Sequence, residues 1–382
     1  RSIIDNAATS QRPQSVIDEW NRITCESNAN IHRAVHKLAD EATQAYEQAR
    51  DIVKDFINAE FREEIIFTSG TTASVNLAAF CFGEAYIKEG DEVIVTEAEH
   101  HSNIVPWQMM CRRKGAILKV LPIDDSGHLI IDELDSLITD RTRIMAVTHI
   151  SNVLGIVNPV KDIVEKCHSK GVAVLVDGAQ GAVHCKVDVR DMDCDFYVFS
   201  GHKLYAATGT GVLYGKKKWL ENMPPYMGGG EMVGTVKFSG TTYAPLPMKY
   251  EAGTQNFASA ATLKPAIELL NILNDNNLEE YNNSIKDYLL NILINDERIR
   301  LYGVPRGTSE EKIPLFSFTV KGIHHEDLAL ILDKMGIAVR SGQMCAEPLM
   351  DRFGVTGMLR ISLAPYNTMQ EAEYFVKCLN KA

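Results

Sequence analysis

The chain has 382 residues, 45% apolar and 23% charged, and Lys+Arg 39 against Asp+Glu 50 gives a net charge of −11. That is the composition of a folded protein of roughly two or three domains, and it excludes the disordered, collagenous and low-complexity classes. An acidic balance without a basic cluster argues against nucleic acid as a partner, and no apolar run approaches the roughly 20 residues of a membrane span, so no membrane is expected either.

In chain order, the first long pattern is helical. Ile31, Val35, Leu38, Ala42, Ala45, Ala49, Val53 and Phe56 step by threes and fours and form one apolar stripe. Strands and helices then alternate. Residues 65–68 read as a short strand ending at Gly70, with a helix from Thr72; 92–95, 143–147, 173–177 and 196–199 read as further strands, and 211–214 as a turn back. Strands apolar on both faces and separated by helix-sized segments indicate a buried, largely parallel sheet. Ligands of such sheets bind at the carboxyl ends of the strands. Polar residues collect there: Glu99-His100-His101, His149 with Ser151-Asn152, Asp177-Gly178-Ala179-Gln180 and Ser200-Gly201-His202-Lys203 each follow a strand. Residues 216–258 are irregular and glycine-rich and read as a functional excursion from the sheet. A helical pattern covers 261–291, and from Pro314 a second, smaller α/β layer follows, ending in a helix from about Met369.

Eight cysteines, Cys25, Cys81, Cys111, Cys167, Cys185, Cys194, Cys345 and Cys378, include no C-x-x-C pair, which speaks against a zinc ribbon or a thioredoxin-like site and for a reducing compartment. No metal is expected, and His32, His36, His128, His168, His184, His324 and His325 read as solvated or satisfied histidines. No signal peptide opens the chain. It starts at Arg1 without a Met, so a trimmed upstream segment is expected, and the location is read as cytoplasmic with an organelle such as a plastid left open.

Three features point to chemistry. Lys203, just past a buried strand, suits a Schiff-base lysine, whose amine must be neutral to attack a carbonyl; read alone, it is more simply a solvated loop lysine. Asp177 ends a very apolar strand, where a carboxylate needs a cationic partner such as a pyridinium nitrogen; read alone, it is equally a helix N-cap. Ser69-Gly70-Thr71-Thr72, between a strand and a helix, offers hydroxyls and backbone N–H groups to a phosphate, or is a plain capped turn.

The motifs in order resemble the group II, SufS-type cysteine desulfurases of the class V aminotransferase family, which are fold-type I pyridoxal-phosphate enzymes. The resemblance spans the whole chain. It rests on Asp5-Asn6-Ala7-Ala8, His32-Arg33, Gly70-Thr71-Thr72, the run from Glu99 to Trp107, the run from Thr148 to Gly155, Val176-Asp177-Gly178-Ala179-Gln180, Phe199-Ser200-Gly201-His202-Lys203, Glu251-Ala252-Gly253-Thr254 and the run from Arg340 to Cys345. It implies a large domain with a mostly parallel sheet flanked by helices and a smaller α/β domain. The divisions are an N-terminal segment, 1–20, packing with the small domain; a cofactor-binding domain, 21–260; and a small C-terminal domain, 261–382, carrying the catalytic loop.

The resemblance also implies roles. Lys203 would hold pyridoxal 5'-phosphate and shuttle the Cα proton. Asp177 would pair with the pyridinium, Gln180 with the phenolic oxygen, and His100 would stack on the ring and join in proton transfer. Thr72, Ser200 and His202 would bind the phosphate, and Thr254 the phosphate of the other subunit of a homodimer. Asn152, which also borders the cofactor, and Arg360 would hold the substrate carboxylate. Cys345 would be the nucleophile that takes sulfur from L-cysteine as a persulfide, leaving alanine, with Arg340 favouring the thiolate. The sulfur would pass to an acceptor protein of the SufE or SufU type for iron–sulfur cluster assembly. His101 is expected to point away from the ring.

The chain departs from its relatives in four places: Gln343-Met344 where many have two His, Ala73 where many have Glu, no acidic residue before Gly240, and Gln255 where Pro is usual. The alternatives are a selenocysteine lyase with the same site, or another class V enzyme, a transaminase, a kynureninase-like hydrolase or an epimerase, which would leave Cys345 idle. A non-catalytic scaffold would have lost Lys203 and Asp177.

Overall fold

Seven strands form the larger sheet of the computed structural model, which describes residues 2–382. Their order is Ile65–Thr68, Gly211–Gly215, Phe196–Ser200, Ala173–Asp177, Thr142–Thr148, Glu92–Thr96 and Ile117–Leu121. Gly211–Gly215 runs antiparallel to both its neighbours, and every other pairing is parallel. Two reversals cancel, so Thr68, Ser200, Asp177, Thr148 and Thr96 all end at one edge of the sheet.

The period of two explains why these runs are apolar throughout. Val174, Val176, Tyr197, Phe199, Met145 and Val147 enter one core; Ala173, Leu175, Phe196, Val198, Ile144 and Ala146 enter another on the opposite face. Helices Lys37–Phe56, Val160–His168 and Leu263–Asp275 cover the first face, and Thr71–Tyr86 with Val105–Lys114 covers the second.

A four-stranded antiparallel sheet follows in the order Ile299–Tyr302, Leu315–Val320, Met358–Ser362, Arg340–Gly342. It shares its core with helices Leu278–Asn295, His325–Lys334 and Met369–Leu379. The last of these starts where Thr368 Oγ1 accepts the Glu371 N–H and the Glu371 carboxylate accepts the Thr368 N–H, a reciprocal capping box. Ser2–Ile3 pairs in parallel with Ile337–Ala338, and Asp5 bridges to Ser362, so the start of the chain lies along the smaller sheet.

Three local expectations change. The first long helix begins at Lys37 rather than near Ile31, capped by the His36 ring accepting the Ala39 N–H. His32 is left-handed at φ 68° and breaks any earlier helix, so Val35 projects into solvent although Ile31 still reaches the core. Ile117–Leu121 adds an edge strand whose Ile117 and Val120 are about half exposed, a pattern without the unbroken apolar run of the central strands. The irregular 216–258 stretch holds a short helix, Lys217–Asn222, and an exposed hairpin of Val233–Lys237 and Gly240–Tyr243. Among the described residues, no helix is long and apolar enough to cross a membrane.

Candidate active site

A cavity of about 390 Å³ opens at the carboxyl edge of the larger sheet. Lys203, Asp177, Gln180, His100, Thr72, Ser200, His202, Asn152, Arg360, Arg340 and Cys345 all line it. Thr254 does not; it lies exposed on the loop after Glu251. Ala7 and Ala8 close one side.

Asp177 and Lys203 come from neighbouring parallel strands. Asp177 ends Ala173–Asp177, is 3% exposed, and accepts the Ala179 N–H on Oδ1 at 3.0 Å. Burial pushes its carboxyl up, while the Ala179 N–H and the Lys203 charge pull it back down. Lys203 ends the single turn after Phe196–Ser200, and burial holds its amine below the usual lysine range against the pull of Asp177. A lysine amine held down in this way is readied as a nucleophile. Gly178 is required by packing: a Cβ there would lie 2.1 Å from the buried Tyr197 ring, whose hydroxyl sits 2.9 Å from His149 Nδ1.

An anion cradle lies beside them. The helix Thr71–Tyr86 presents its N-terminus to the cavity, with Thr71 and Thr72 in the wall. Ser200 Oγ accepts the Thr71 N–H at 2.8 Å and lies 2.7 Å from Thr71 Oγ1, tying the strand end to the helix start. A Cβ on Gly211 would lie 2.4 Å from Gly70 Cα, so only glycine lets the antiparallel strand pass this turn. His202 contributes its ring, with Nδ1 3.1 Å from Thr9 Oγ1, and burial with the Lys203 charge lowers its pKa to about 4.

His100 is held neutral: burial, then Lys203, lower its pKa to about 4. Its Nδ1 accepts the Ser102 N–H at 3.0 Å, so the ring proton sits on Nε2. Gln180 donates through Nε2 to the Ala7 carbonyl at 3.0 Å, which docks the N-terminal segment against the Asp177 loop.

The far end of the cavity is cationic. Arg360 donates to the Asn152 carbonyl at 2.9 Å and pairs with Asp5 at 3.3 Å; Arg340 pairs with the other oxygen of Asp5 at 3.2 Å. Arg340 is thus engaged by Asp5. Asn152 donates through Nδ2 to the Met344 carbonyl at 2.9 Å, and the His101 backbone N–H donates to the Cys345 carbonyl at 2.7 Å. Cys345 itself is exposed at the cavity mouth, whereas Cys81, Cys111, Cys167, Cys194 and Cys378 are buried.

The residues present fit pyridoxal phosphate. An amine for its aldehyde, a buried carboxylate for its ring nitrogen, and hydroxyls at a helix N-terminus for its phosphate line one cavity. The buried Arg360 Nε, without a hydrogen-bond partner among the described residues, is a donor suited to an added carboxylate.

Two contributors were not assigned a role from sequence. Asp5 sits in a motif that carried the resemblance, but its pairing with two arginines is set by the docking of the N-terminal strand. His101 does turn away from the cavity, as expected, and its Nε2 accepts the Glu347 N–H at 3.0 Å.

Known proteins resemble this chain along nearly its whole length. The profile of the aminotransferase class-V family matches residues 3–375. A cysteine desulfurase of Cronobacter sakazakii is 45% identical over 374 residues, 98% of this chain and 91% of that protein. A probable cysteine desulfurase of Vibrio cholerae is 44% identical over 99% of this chain and 93% of its own length. Among solved structures, the Escherichia coli cysteine desulfurase CsdA, with an S-sulfonic acid, superimposes with a TM-score of 0.91 at 40% identity, covering 99% of this chain and 94% of that one. The apo cysteine desulfurase of Thermococcus onnurineus gives a TM-score of 0.93 at 34% identity, covering 100% and 94%.

Proposed function

The chain belongs to the class-V aminotransferase family, and we propose that it is a pyridoxal-phosphate-dependent cysteine desulfurase, converting L-cysteine to L-alanine and leaving a persulfide on Cys345. The observation that carries this reading is the meeting of Cys345, Lys203 and Asp177 in one cavity, although Asp177 and Lys203 lie at neighbouring strand ends of the larger sheet and Cys345 follows a strand of the smaller one.

When bound, the cofactor supplies an aldehyde and an electron-withdrawing ring that make the substrate Cα–H acidic. Asp177, buried beside the ring site, keeps a negative charge where a protonated ring nitrogen needs one. Thr72, Ser200 and His202 hold the phosphate, and Gln180 donates to the phenolic oxygen. Lys203 would hold the cofactor through its amine and, when that amine is free, would take the Cα proton. Arg360 binds the substrate carboxylate, with its unpaired Nε among the donors, and Asn152 borders the same position. Neutral His100 would border the ring with its Nε2 proton available for transfer.

Cys345 Sγ then attacks the substrate sulfur. An S–S bond forms as the C–S bond breaks, and the electron pair of that bond goes to the carbon, which is protonated to become the methyl group of alanine. The balance is L-cysteine plus thiol to L-alanine plus persulfide. The outer sulfur passes to an acceptor of the SufE or SufU type, for iron–sulfur cluster assembly. The exposed mouth position of Cys345 supports such a hand-over. A homodimer in which Thr254 reaches the partner's phosphate belongs to the same proposal, as do the division at residues 20 and 260 and a cytoplasmic or plastid location.

The test compares wild type with Cys345→Ala on L-cysteine with a reductant. Equimolar alanine and sulfide, lost in the variant, are expected. Turnover that survives the substitution refutes the nucleophile and reopens the transaminase alternative.

A further inference from the structure

Met344 and Cys345 are consecutive non-glycine residues in the left-handed region, at φ 54° and 55°. L residues with a side chain rarely adopt this region, and strained backbone at a functional site persists only where its surroundings over-determine it. One restraint lies inside the turn, where the Ala346 N–H donates to the Gln343 carbonyl at 3.0 Å. Three come from outside. Asn152 Nδ2 holds the Met344 carbonyl at 2.9 Å. The other two both belong to His101: its backbone N–H holds the Cys345 carbonyl at 2.7 Å, and its Nε2 accepts the Glu347 N–H at 3.0 Å.

We propose that His101 is the positioning residue for Cys345, gripping the strained turn at the nucleophile's own carbonyl and at the Glu347 amide just after it, and keying it to the cavity wall through its neighbour His100. The proposal rests on Cys345 being the nucleophile. The geometry assigns the His–His pair a division of labour. His100 lines the cavity, and His101, turned away from it, sets where the sulfur sits. His101 is itself anchored, since its carbonyl accepts the Ile104 N–H at 3.1 Å at the start of helix Val105–Lys114. The Glu347 N–H lies at the first turn of helix Glu347–Phe353, where no intrahelical acceptor exists, so the imidazole satisfies an otherwise orphan donor. A neutral ring accepting on Nε2 carries its proton on Nδ1.

The experiment exploits the two ring nitrogens. A glutamine carbonyl reaches the place of Nε2, whereas an asparagine carbonyl reaches only that of Nδ1. His101→Gln and His101→Asn are compared with wild type as holoenzymes, with His101→Phe as a second loss variant that keeps a ring but no acceptor. Amide hydrogen exchange is read on the 343–350 segment, alongside kcat and KM for alanine formation. Loss of the acceptor is expected to speed exchange at Glu347 by about tenfold or more and to lower kcat by about 10- to 100-fold, with KM for L-cysteine unchanged and Gln restoring both. Protection and kcat that survive in Asn and Phe overturn the proposal, as does a Gln variant no better protected than Asn. The exchange readout does not need Cys345 to react, so turnover surviving Cys345→Ala counts against the nucleophile reading alone.

Discussion

Removing the carboxylate of Glu251 tests how the loop that carries Thr254 is held. Arg50 and Glu251 have side chains 0% exposed, joined by hydrogen bonds of 2.7 and 2.9 Å. Arg50 also donates to the Ile65 carbonyl at 2.6 Å and lies over the rings of Tyr46 and Phe67. Glu251 accepts the Tyr46 hydroxyl at 2.7 Å and the Phe67 N–H at 2.8 Å. Glu251→Leu therefore takes from the buried guanidinium one of its two carboxylate partners, leaving Glu47 at 3.0 Å, which costs up to about 3–5 kcal/mol, and orphans two further donors at about 1–3 kcal/mol each. A loss of at least about 2 kcal/mol is expected, a large share of the stability of many domains. Arg50→Met combined with Glu251→Leu leaves only the orphan donors, so the pair is expected to recover about 2–4 kcal/mol relative to the sum of the single changes. Urea unfolding followed by both circular dichroism and tryptophan fluorescence measures these differences, with coincidence of the two probes checked for each variant. A Glu251→Leu loss below about 1 kcal/mol, or strictly additive single changes, refutes the reasoning.

Other tests follow from the same structure. Glu99 is fully buried, and desolvation first, with Asp177 adding to it, raises its pKa to about 8 from 4.5. A carboxyl raised on folding favours the folded state while protonated and loses that advantage as pH climbs, so wild type should lose about 2.5 kcal/mol between pH 5 and pH 7 relative to Glu99→Gln; equal slopes in chemical denaturation across that range contradict the assignment. Gly178→Ala places a Cβ 2.1 Å from Tyr197 and should destabilise by about 1–3 kcal/mol while weakening cofactor retention, followed by absorbance after dialysis; full retention with unchanged stability speaks against the close packing. Asp5→Asn weakens the tie that orients Arg340 and Arg360; KM for L-cysteine should rise several-fold with a smaller change in kcat, and an unchanged KM removes Asp5 from the substrate site.

Much of the site was legible because its chemistry is local in sequence. The buried parallel strands announce themselves as unbroken apolar runs, since both faces of each are covered, and the polar quartets that follow them must lie at one edge of the sheet. That reasoning reached Lys203, Asp177, Gln180 and the Ser69–Thr72 turn. It missed the edge strand Ile117–Leu121, which is apolar on only part of its surface, and it began the first long helix several residues early, because apolar spacing does not register the left-handed backbone at His32.

By itself the sequence determined which residue types could do the chemistry and roughly which element ends present them, because propensity and apolar period act over a few residues. Tertiary structure alone decided the partners. Asp5 meets Arg360 across 355 positions, and His101 meets the Glu347 amide across 246. Those contacts depend on how the smaller sheet and the N-terminal strand dock against the carboxyl edge of the larger one. Hydrogen bonds act over about 3 Å in space and carry no periodicity along the chain from which they could be read.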